Sequence, residues 1–516
     1  MDTKSSALPA FRGPSLAACI TDIRKEYDLL EDEQNRQIGL SPEPVNGFRS
    51  VGRLGRLYPE WLGDRRFTHI HGCRFPYIVG EMARGVATPA MVVAAAKAGF
   101  LGFYGAAGLS LETISSGIRE IERGVGTQPW GSNLIHTPNE PELERAIVGL
   151  YLDRNVVRVS ASAFMSLTPQ IVRYACHGIQ AGPEGSVLRK NHVFAKISRP
   201  EVAAQFMRPA PANILDALVA AGSLTRTEAE LAQRIPIAED VTAEADSGGH
   251  TDNRPLSVLL PLILRERDRS GFPIRVGAAG GIGTPSSAAS AFAQGAAYVL
   301  TGTVNQTAVE SGLSESGRSM LAEAGMADVA MAPSADMFEL GVKVQVLRKG
   351  SFYAQRAGRL YDLYRSYESL EELPGKVRAE LESDFFGRPL GEIEADVRQF
   401  FSNRDPSQLV RAATDGRHLM ALVFRWYLGH SSRWPIVGDA SRRLDYQIWC
   451  GPAIGSFNEW VRDSFLSDYR TRSIQQIGLN IMEGAAIATR AHQARTHGVG
   501  VPSYLFNLPP RSLVSA

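Results

Sequence analysis

Eight short apolar runs, separated by segments of helical character, recur between about residues 75 and 312 and constrain the fold more than any other feature. Each run has the length of one strand, and each intervening segment can form one helix. Residues 88–99 and 284–295 show the pattern clearly, because each has a threonine N-cap, a first-turn proline and a glycine stop. The predicted strands are 76–80, 100–105, 130–135, 156–161, 193–198, 241–246, 274–280 and 298–302.

Eight strand–helix units over roughly 240 residues have the usual size of a (β/α)8 barrel. A doubly wound sheet is the alternative, but it usually carries GxGxxG after its first strand, and no such motif follows residues 76–80. We therefore predict an α/β protein with a TIM barrel in residues 75–345. Residues 208–238 are too long for a simple loop, and they predict two short inserted helices that serve as a lid or a wall.

The two ends of the chain differ from the predicted barrel. Residues 1–74 have weak periodicity and are predicted to be an N-terminal extension. Residues 346–516 have the pattern of amphipathic helices and are predicted to form an appended C-terminal helical region with a substrate or lid role. Four of the six tryptophans lie there, namely Trp426, Trp434, Trp449 and Trp460. They could line an acyl pocket or form an ordinary aromatic core.

The composition argues against several classes of protein. The net charge of +1 gives no broad attraction to nucleic acid or to an anionic membrane. The four cysteines are scattered without a CxxC pair, which argues against a disulfide framework or a zinc knuckle. The sequence shows neither a membrane-spanning apolar run nor the pattern of a signal peptide. We expect a cytoplasmic protein, with a homodimer as the commonest symmetric assembly.

Glycines collect at the carboxyl ends of the last two predicted strands, where the chemistry of a barrel lies. Gly280 and Gly281 follow one strand, and Gly302 and Thr303 follow the next. Both segments present bare main-chain amides at or near a helix N-terminus, which can bind a phosphate without a lysine. Two neighbouring glycine segments favour a phosphate site over two unrelated tight turns.

The sequence EADSGGHTDN follows the sixth predicted strand. Gly248 and Gly249 would allow a flat ring to lie against the backbone, and His250 would reach over it toward a substrate. A structural histidine is the alternative. A metal site formed by this histidine and the flanking aspartates is a third interpretation, but the other histidines form no ligand pattern with it, so no metal is expected.

Two further strands carry a polar residue where a core residue would be expected. Asn133 lies in the third predicted strand and Lys196 in the fifth. A lysine among apolar residues needs a partner for its charge, and the N1 and C2 carbonyl edge of a reduced flavin would be suitable. A carboxylate such as Glu244 on the neighbouring strand is the alternative partner.

Several long segments, among them WGSNLIHTPNEPELE, EADSGGHTDNRPL and DYQIWCGPAIGSFNEWV, resemble the PfaD-type trans-acting enoyl reductases. These enzymes serve polyunsaturated-fatty-acid synthases and polyketide synthases that lack built-in acyltransferases. The resemblance extends from about residue 53 to 465. The barrel portion also resembles the broader class of nitronate monooxygenases and flavin-dependent enoyl-carrier-protein reductases, whose Gly-Gly-His motif matches residues 248–250.

The resemblance implies an oxidoreductase that carries FMN, uses NADPH, and reduces α,β-unsaturated thioesters on an acyl carrier protein. It implies that His250 is catalytic. It implies cofactor contacts from Gly80, Glu81, Met82, Asn133, Lys196, Asp246, Gly248, Gly249, Gly280, Gly281, Gly302 and Thr303. Ser247 departs from the pattern of the broader class, which has alanine at this place.

Other functions remain open at this point. A flavin oxidase of the nitronate monooxygenase kind would use the same barrel, and a non-catalytic assembly protein would keep the barrel without flavin. A colourless barrel aldolase or isomerase is a further alternative. A carrier-protein partner with an acidic surface would need a basic patch. The candidates for it are Arg425, Arg433, Arg442 and Arg443, with an ordinary solvated surface as the alternative.

Overall fold

The computed structural model describes residues 8–138, 140–249 and 251–514, which form two compact units. Unit 1 comprises the described parts of Met1–Asp246, Asp252–Ser311 and Ser456–Ala516, and unit 2 comprises those of Ser247–Thr251 and Gly312–Gly455. This division differs from the predicted boundaries in two respects. The second unit begins before residue 346, and the C-terminal segment belongs to the unit that contains the barrel.

The strands, in chain order, are β1 (Tyr27–Asp32), β2 (Gln37–Ser41), β3 (Arg49–Leu54), β4 (Tyr77–Val79), β5 (Leu101–Tyr104), β6 (Trp130–Ile135), β7 (Arg158–Ser162), β8 (Gln180–Ala181), β9 (Val187–Leu188), β10 (His192–Ile197), β11 (Asp240–Glu244), β12 (Arg275–Ala279), β13 (Val299–Thr301), β14 (Val329–Pro333) and β15 (Lys343–Leu347).

The α-helices are α1 (Gly13–Thr21), α2 (Arg65–His71), α3 (Pro89–Lys97), α4 (Leu111–Val125), α5 (Pro141–Asp153), α6 (Pro169–Cys176), α7 (Pro200–Phe206), α8 (Ala212–Ala220), α9 (Arg226–Ala232), α10 (Leu256–Ser270), α11 (Pro285–Ala293), α12 (Glu315–Ala322), α13 (Tyr353–Ser366), α14 (Gly375–Glu380), α15 (Leu390–Arg404), α16 (Pro406–Ala412), α17 (Gly416–Ser431), α18 (Trp434–Val437), α19 (Ala453–Val461) and α20 (Ile474–Thr496). Short 3-10 helices lie at Pro59–Trp61, Pro183–Gly185, Thr303–Thr307, Ala440–Asp445, Tyr469–Thr471 and Ser503–Asn507, and a π-helix lies at Leu381–Phe386.

Eight parallel strands close into a barrel in unit 1, in the order β4-β5-β6-β7-β10-β11-β12-β13, and β13 pairs with β4. The predicted TIM barrel is therefore confirmed, and each of its strands overlaps a predicted run. The predicted helix starts are also present. The side chain of Thr88 accepts a hydrogen bond from the amide of Met91, and Thr284 forms a capping box with Ser287.

Aromatic rings fill the barrel interior because glycines on neighbouring strands leave room for them. A Cβ atom on Gly277 would lie 2.1 Å from the Tyr298 ring, and one on Gly131 would lie 2.4 Å from the Phe103 ring. Phe194 packs edge-on against Phe103 with 5.1 Å between ring centroids. The centre of the barrel is thus a packed core and not a channel.

A buried ionic cluster lies at the amino ends of the strands. Asp240, the first residue of β11, accepts hydrogen bonds at 2.7 and 2.6 Å from Arg275, the first residue of β12. It also lies 2.9 Å from His71 Nε2. Burial alone would raise the pKa of Asp240, but His71 and Arg275 outweigh it and lower that pKa. Charged clusters at this face of a barrel serve stability and not chemistry.

The two helices predicted within residues 208–238 are present as α8 and α9. They follow α7 and precede β11, so they belong to the amino-terminal side of the barrel. Glu228 of α9 accepts a hydrogen bond at 2.6 Å from the amide of Gly178, just after α6. This segment therefore joins a helix to the next strand at the amino-terminal face of the barrel, and its role as a lid or a wall stays a prediction.

The described segments before and after the barrel pack on it within unit 1. Strands β2, β1 and β3 form a small antiparallel sheet, and α20 packs against α11, α3 and α1. Arg490 of α20 is fully buried and donates hydrogen bonds to the carbonyl oxygens of Ile23, Lys25 and Gly55. These contacts tie the predicted N-terminal extension to the last long helix.

Unit 2 contains the β14–β15 hairpin and helices α12 to α18. Trp434 in this unit is buried, and so is Trp460 in unit 1, whose indole nitrogen donates to the carbonyl oxygen of Leu508. Burial of these two rings supports the alternative of an ordinary aromatic core. Every helix in the described part of the chain is too short or too polar to cross a membrane.

Candidate active site

The carboxyl ends of the barrel strands meet at one face, which is the catalytic face of TIM barrels. The predicted site residues of unit 1 all lie on strands or loops that lead to this face. They are Gly80, Glu81 and Met82 after β4, Asn133 in β6, Lys196 in β10, Asp246 after β11, Gly280 and Gly281 after β12, and Gly302 and Thr303 after β13. The structure thus brings together side chains that are far apart in sequence.

Lys196 lies between two carboxylates. Its Nζ atom is 2.8 Å from Glu81 Oε1 and 3.2 Å from Glu244 Oε1. Burial alone would lower the pKa of Lys196, but the charges of Glu244 and Glu81 outweigh it and raise that pKa. The lysine is therefore a fixed cation. The predicted alternative, a pair with Glu244, is present, whereas contact with a flavin stays a prediction.

The Glu81 carboxylate was not predicted to be a partner of the lysine. Its side chain is 1% exposed, and it follows directly after β4. Burial alone would raise the pKa of Glu81, but the ammonium of Lys196 outweighs it and lowers that pKa. A carboxylate immediately after an apolar strand was the available signal in the sequence.

Asn133 is held in one orientation by its neighbours. Its Nδ2 atom donates to the carbonyl oxygen of Ser160 at 3.1 Å and to the hydroxyl of Ser162 at 2.7 Å. The main-chain carbonyl oxygen of Asn133 accepts a hydrogen bond from the hydroxyl of Tyr151 at 2.7 Å. Both serines lie on β7, so the strand next to β6 fixes this amide. Neither serine was singled out in the sequence.

The loop after β12 requires glycine and leaves amides available. Gly280 and Gly281 have φ angles of 85° and 70°, and a Cβ atom on Gly280 would lie 2.7 Å from the backbone carbon of Ala245. The amides of Gly283 and Thr284 donate to Ser287 Oγ. Those of Gly281 and Ile282 have no acceptor among the described residues. Two free donors therefore lie just before α11.

The neighbouring loop after β13 adds a third donor. Across the described residues, no acceptor is present for the amide of Gly302, and a Cβ atom there would meet only Met82 Sδ at 3.9 Å. Because β12 and β13 are paired, the two loops are adjacent. Free amides and open space on two adjacent loops fit a phosphate group. The observed geometry is thus compatible with the predicted role of these glycines.

His250 lies outside the described residues, so its catalytic role stays a prediction. The segment before it belongs to unit 2, where Gly248 contacts the backbone of Cys450. The amide of Gly249 lies 3.4 Å from Ser247 Oγ. The glycine at position 248 therefore has a structural explanation that the sequence did not suggest.

The described residues contain no group of three or more His, Cys, Asp or Glu side chains placed to hold an ion, and His250, which the metal interpretation requires, lies outside them. The two aspartates that flank the histidine are engaged elsewhere. Asp252 pairs with Arg199 at 2.8 Å, and Asp246 accepts from Asn253 at 2.9 Å.

Comparison with known proteins assigns this barrel to a class. The nitronate monooxygenase model matches residues 65–351, and the inserted helical domain of [acyl-carrier-protein] S-malonyltransferase matches residues 367–446. The chain belongs to the nitronate monooxygenase family of oxidoreductases, whose flavin dependence supports a flavin cofactor.

The chain is also similar to the enoyl reductase domain of MlnA from Bacillus amyloliquefaciens. The two share 35% identity with a TM-score of 0.81, over 85% of this chain and 99% of that domain. A point mutant of FabK from Thermotoga maritima has 18% identity and a TM-score of 0.51, over 84% of this chain and 99% of that one, which supports the fold alone.

Two longer relatives match as well. A polyunsaturated fatty acid synthase subunit of Thraustochytrium sp. is 43% identical over 96% of this chain and 34% of its own length. The polyketide biosynthesis protein PksE of Bacillus subtilis is 42% identical over 83% of this chain and 56% of its own. The chain thus spans about a third to just over half of these two relatives. These similarities confirm the predicted membership of the family of trans-acting enoyl reductases of polyunsaturated-fatty-acid and polyketide synthases.

Proposed function

We propose that this chain is an FMN-dependent enoyl reductase that uses NADPH to reduce the α,β-double bond of enoyl thioesters on acyl carrier proteins. The similarity to the MlnA enoyl reductase domain over 99% of that domain carries this proposal. The relatives from polyunsaturated fatty acid and polyketide synthesis support the same substrate class. The match of residues 367–446 to part of an acyl-carrier-protein transferase favours a carrier protein as the partner.

Some residues at the barrel face would bind the phosphate of the cofactor, and others would orient its ring. The free amides of Gly281, Ile282 and Gly302 would hold the phosphate of the cofactor. Lys196 would present a fixed positive charge to the ring, and Asn133 would present an oriented amide. Bound FMN would supply hydride transfer from NADPH to the β-carbon of the enoyl thioester.

The substrate requires two further contributions from the protein. Negative charge develops on the thioester oxygen during reduction, and the α-carbon needs a proton. An imidazole can donate to the oxygen or supply the proton at neutral pH. We assign this task to His250, which follows β11 by six residues.

Two of the four arginines predicted to contact a carrier protein are exposed on unit 2 and can bind a partner. Arg433 and Arg443 are exposed, and neither forms an ion pair within the described residues. Arg425 pairs with Glu339 at 3.4 Å, and Arg442 lies over the Trp434 ring at 4.7 Å and donates to the carbonyl oxygen of Phe385. We therefore assign contact with an acidic carrier protein to Arg433 and Arg443.

The phosphate assignment predicts a selective loss of flavin in Gly302→Asp. The new carboxylate would repel the phosphate, and the fold should persist because a Cβ atom there meets only Met82 Sδ at 3.9 Å. We expect the Kd of FMN to rise by about 100-fold or more, which corresponds to the loss of roughly 3 kcal/mol. Equilibrium dialysis measures this change. Gly358→Asp, on the open surface of α13, is the control and should bind FMN normally.

The overall proposal is tested by turnover of a crotonyl thioester, first as the coenzyme A ester and then on a carrier protein. NADPH oxidation that depends on the thioester, with a saturated product by mass spectrometry, is the expected result. Thioester-independent NADPH oxidation with oxygen consumption would instead identify a nitronate monooxygenase-like oxidase. A colourless protein that does not bind added FMN would contradict the proposal and would fit either a non-catalytic assembly protein or a barrel aldolase or isomerase.

A further inference from the structure

Gly248 and Gly451 allow two backbone segments of unit 2 to touch. A Cβ atom on Gly248 would lie 2.8 Å from the amide nitrogen of Cys450. A Cβ atom on Gly451 would lie 3.0 Å from Ser247 Cα and 3.3 Å from the amide nitrogen of Gly248. The two glycines therefore serve one close contact, and a side chain on either would force the segments apart.

The segment that contacts Ser247 and Gly248 is itself anchored to a sheet. The amide of Cys450 donates to the carbonyl oxygen of Gln345 at 3.3 Å, and Leu347 donates to the carbonyl oxygen of Ile448 at 2.8 Å. Trp449 forms an antiparallel bridge with Val346 between them. Residues 448–450 are thus held along β15 by an isolated bridge and two backbone hydrogen bonds.

This arrangement is rigid because it is buried as well as hydrogen-bonded. Val346 and Cys450 are fully buried, and Ile448 is almost so. Burial also raises the pKa of the Cys450 thiol, which keeps it neutral and suited to an apolar position. The Ser247–Gly249 segment is therefore packed against a fixed surface.

We propose that residues 448–451 position the Ser247–Gly249 segment and, through it, the imidazole of His250. The catalytic part of this inference rests on the proposed function. Gly451 and Cys450 act as positioning residues, because Gly248 is only two residues from His250 in the chain. A misplacement of about 1 Å at a reacting group can lower a rate by about 100-fold, so a small shift of this segment has a large effect.

Gly451→Ala tests the inference, with Gly358→Ala as the control in the same unit, because a Cβ atom on Gly358 meets nothing within 4 Å. In Gly451→Ala holoenzyme we expect faster hydrogen exchange across residues 244–256 and a kcat about 10- to 100-fold lower. The KM and the flavin content should stay within about twofold of the wild-type values, because the variant does not alter the binding of the substrate or of the flavin. The control should match the wild type in all four measurements.

A double variant separates positioning from general damage. If Gly451 acts through the imidazole, Gly451→Ala should cause no further loss of kcat in a His250→Ala background. Additive losses would overturn the inference, because they would show that Gly451 acts by another route.

The exchange measurement does not depend on the activity of the protein. Unchanged exchange in Gly451→Ala would overturn the positioning contact itself. Faster exchange together with a fully active His250→Ala variant would support the contact but overturn its catalytic part, and the proposed role of His250 would fail with it. Gly248→Ala provides a second variant with a closer clash and should show the larger increase in exchange.

Discussion

His250→Ala is expected to lower kcat for reduction of an enoyl thioester by about 100- to 10,000-fold, the usual contribution of a positioned acid or base. Flavin should remain bound, because the free amides that fit its phosphate lie on the loops after β12 and β13. Steady-state turnover of crotonyl thioester and the visible flavin absorbance of the purified variant measure the two effects separately.

His69→Ala is the matched control for this variant, because His69 is an exposed histidine on α2. It should turn over at the wild-type rate. His250→Gln, which retains a hydrogen-bond donor but cannot supply a proton, distinguishes the two tasks of the imidazole. Partial activity in the glutamine variant would indicate charge stabilisation at the thioester oxygen. Wild-type turnover in the alanine variant with full flavin would remove His250 from the mechanism.

The barrel was predictable because its signals are local. Strand length, threonine N-caps and glycine stops repeat along the chain, and each can be recognised without knowledge of the tertiary contacts. Thr88 and Thr284 illustrate this, since both cap the predicted helices in the structure. Closure of the strands into a ring then follows from their number and order.

The N-terminal sheet was not predicted, because its charged side chains form ion pairs with residues that lie far away in the sequence. Strand β1 contains Asp28 and Glu31, which weaken its apolar pattern, yet both are buried. Arg53 and Arg49 on β3 pair with them across the sheet. A sequence pattern cannot show that a charged residue is neutralised by a partner some 20 residues away, so the sequence predicts only an extension here.

The same limit applies to the candidate site. The pairing of Lys196 with Glu244 was predictable because β10 and β11 are neighbours in sequence and in the sheet. Glu81 comes from β4, which is not adjacent to β10, so only the closed barrel brings it near. Glycine is needed at position 248 because the backbone of Cys450, about two hundred residues later in the chain, lies against it. Only the folded structure shows this contact.

Lys196→Met is expected to cause the largest loss of stability among these variants. It leaves Glu81 and Glu244, which both lie within 3.2 Å of the lysine nitrogen, buried without their cation. Removal of one partner from a buried ion pair costs about 3–5 kcal/mol. Urea unfolding measures this change. Lys97→Met, at an exposed position in the last turn of α3, is the control and should stay within about 0.5 kcal/mol of the wild type.

The dependence of this loss on pH distinguishes a charge effect from a packing effect. The raised pKa of Lys196 stabilises the fold below about pH 10.4, and the lowered pKa of Glu81 stabilises it above about pH 4.3, so the wild type keeps both contributions between these values. In the variant, Glu81 loses the cation that lowers its pKa, so burial raises this pKa and the carboxylate takes up a proton as the pH falls. The difference in unfolding free energy should therefore be larger at pH 8 than at pH 5. Adding Glu81→Gln and Glu244→Gln to the variant should restore most of the lost unfolding free energy at pH 8. A loss that does not depend on pH or on these two substitutions would identify packing as the cause.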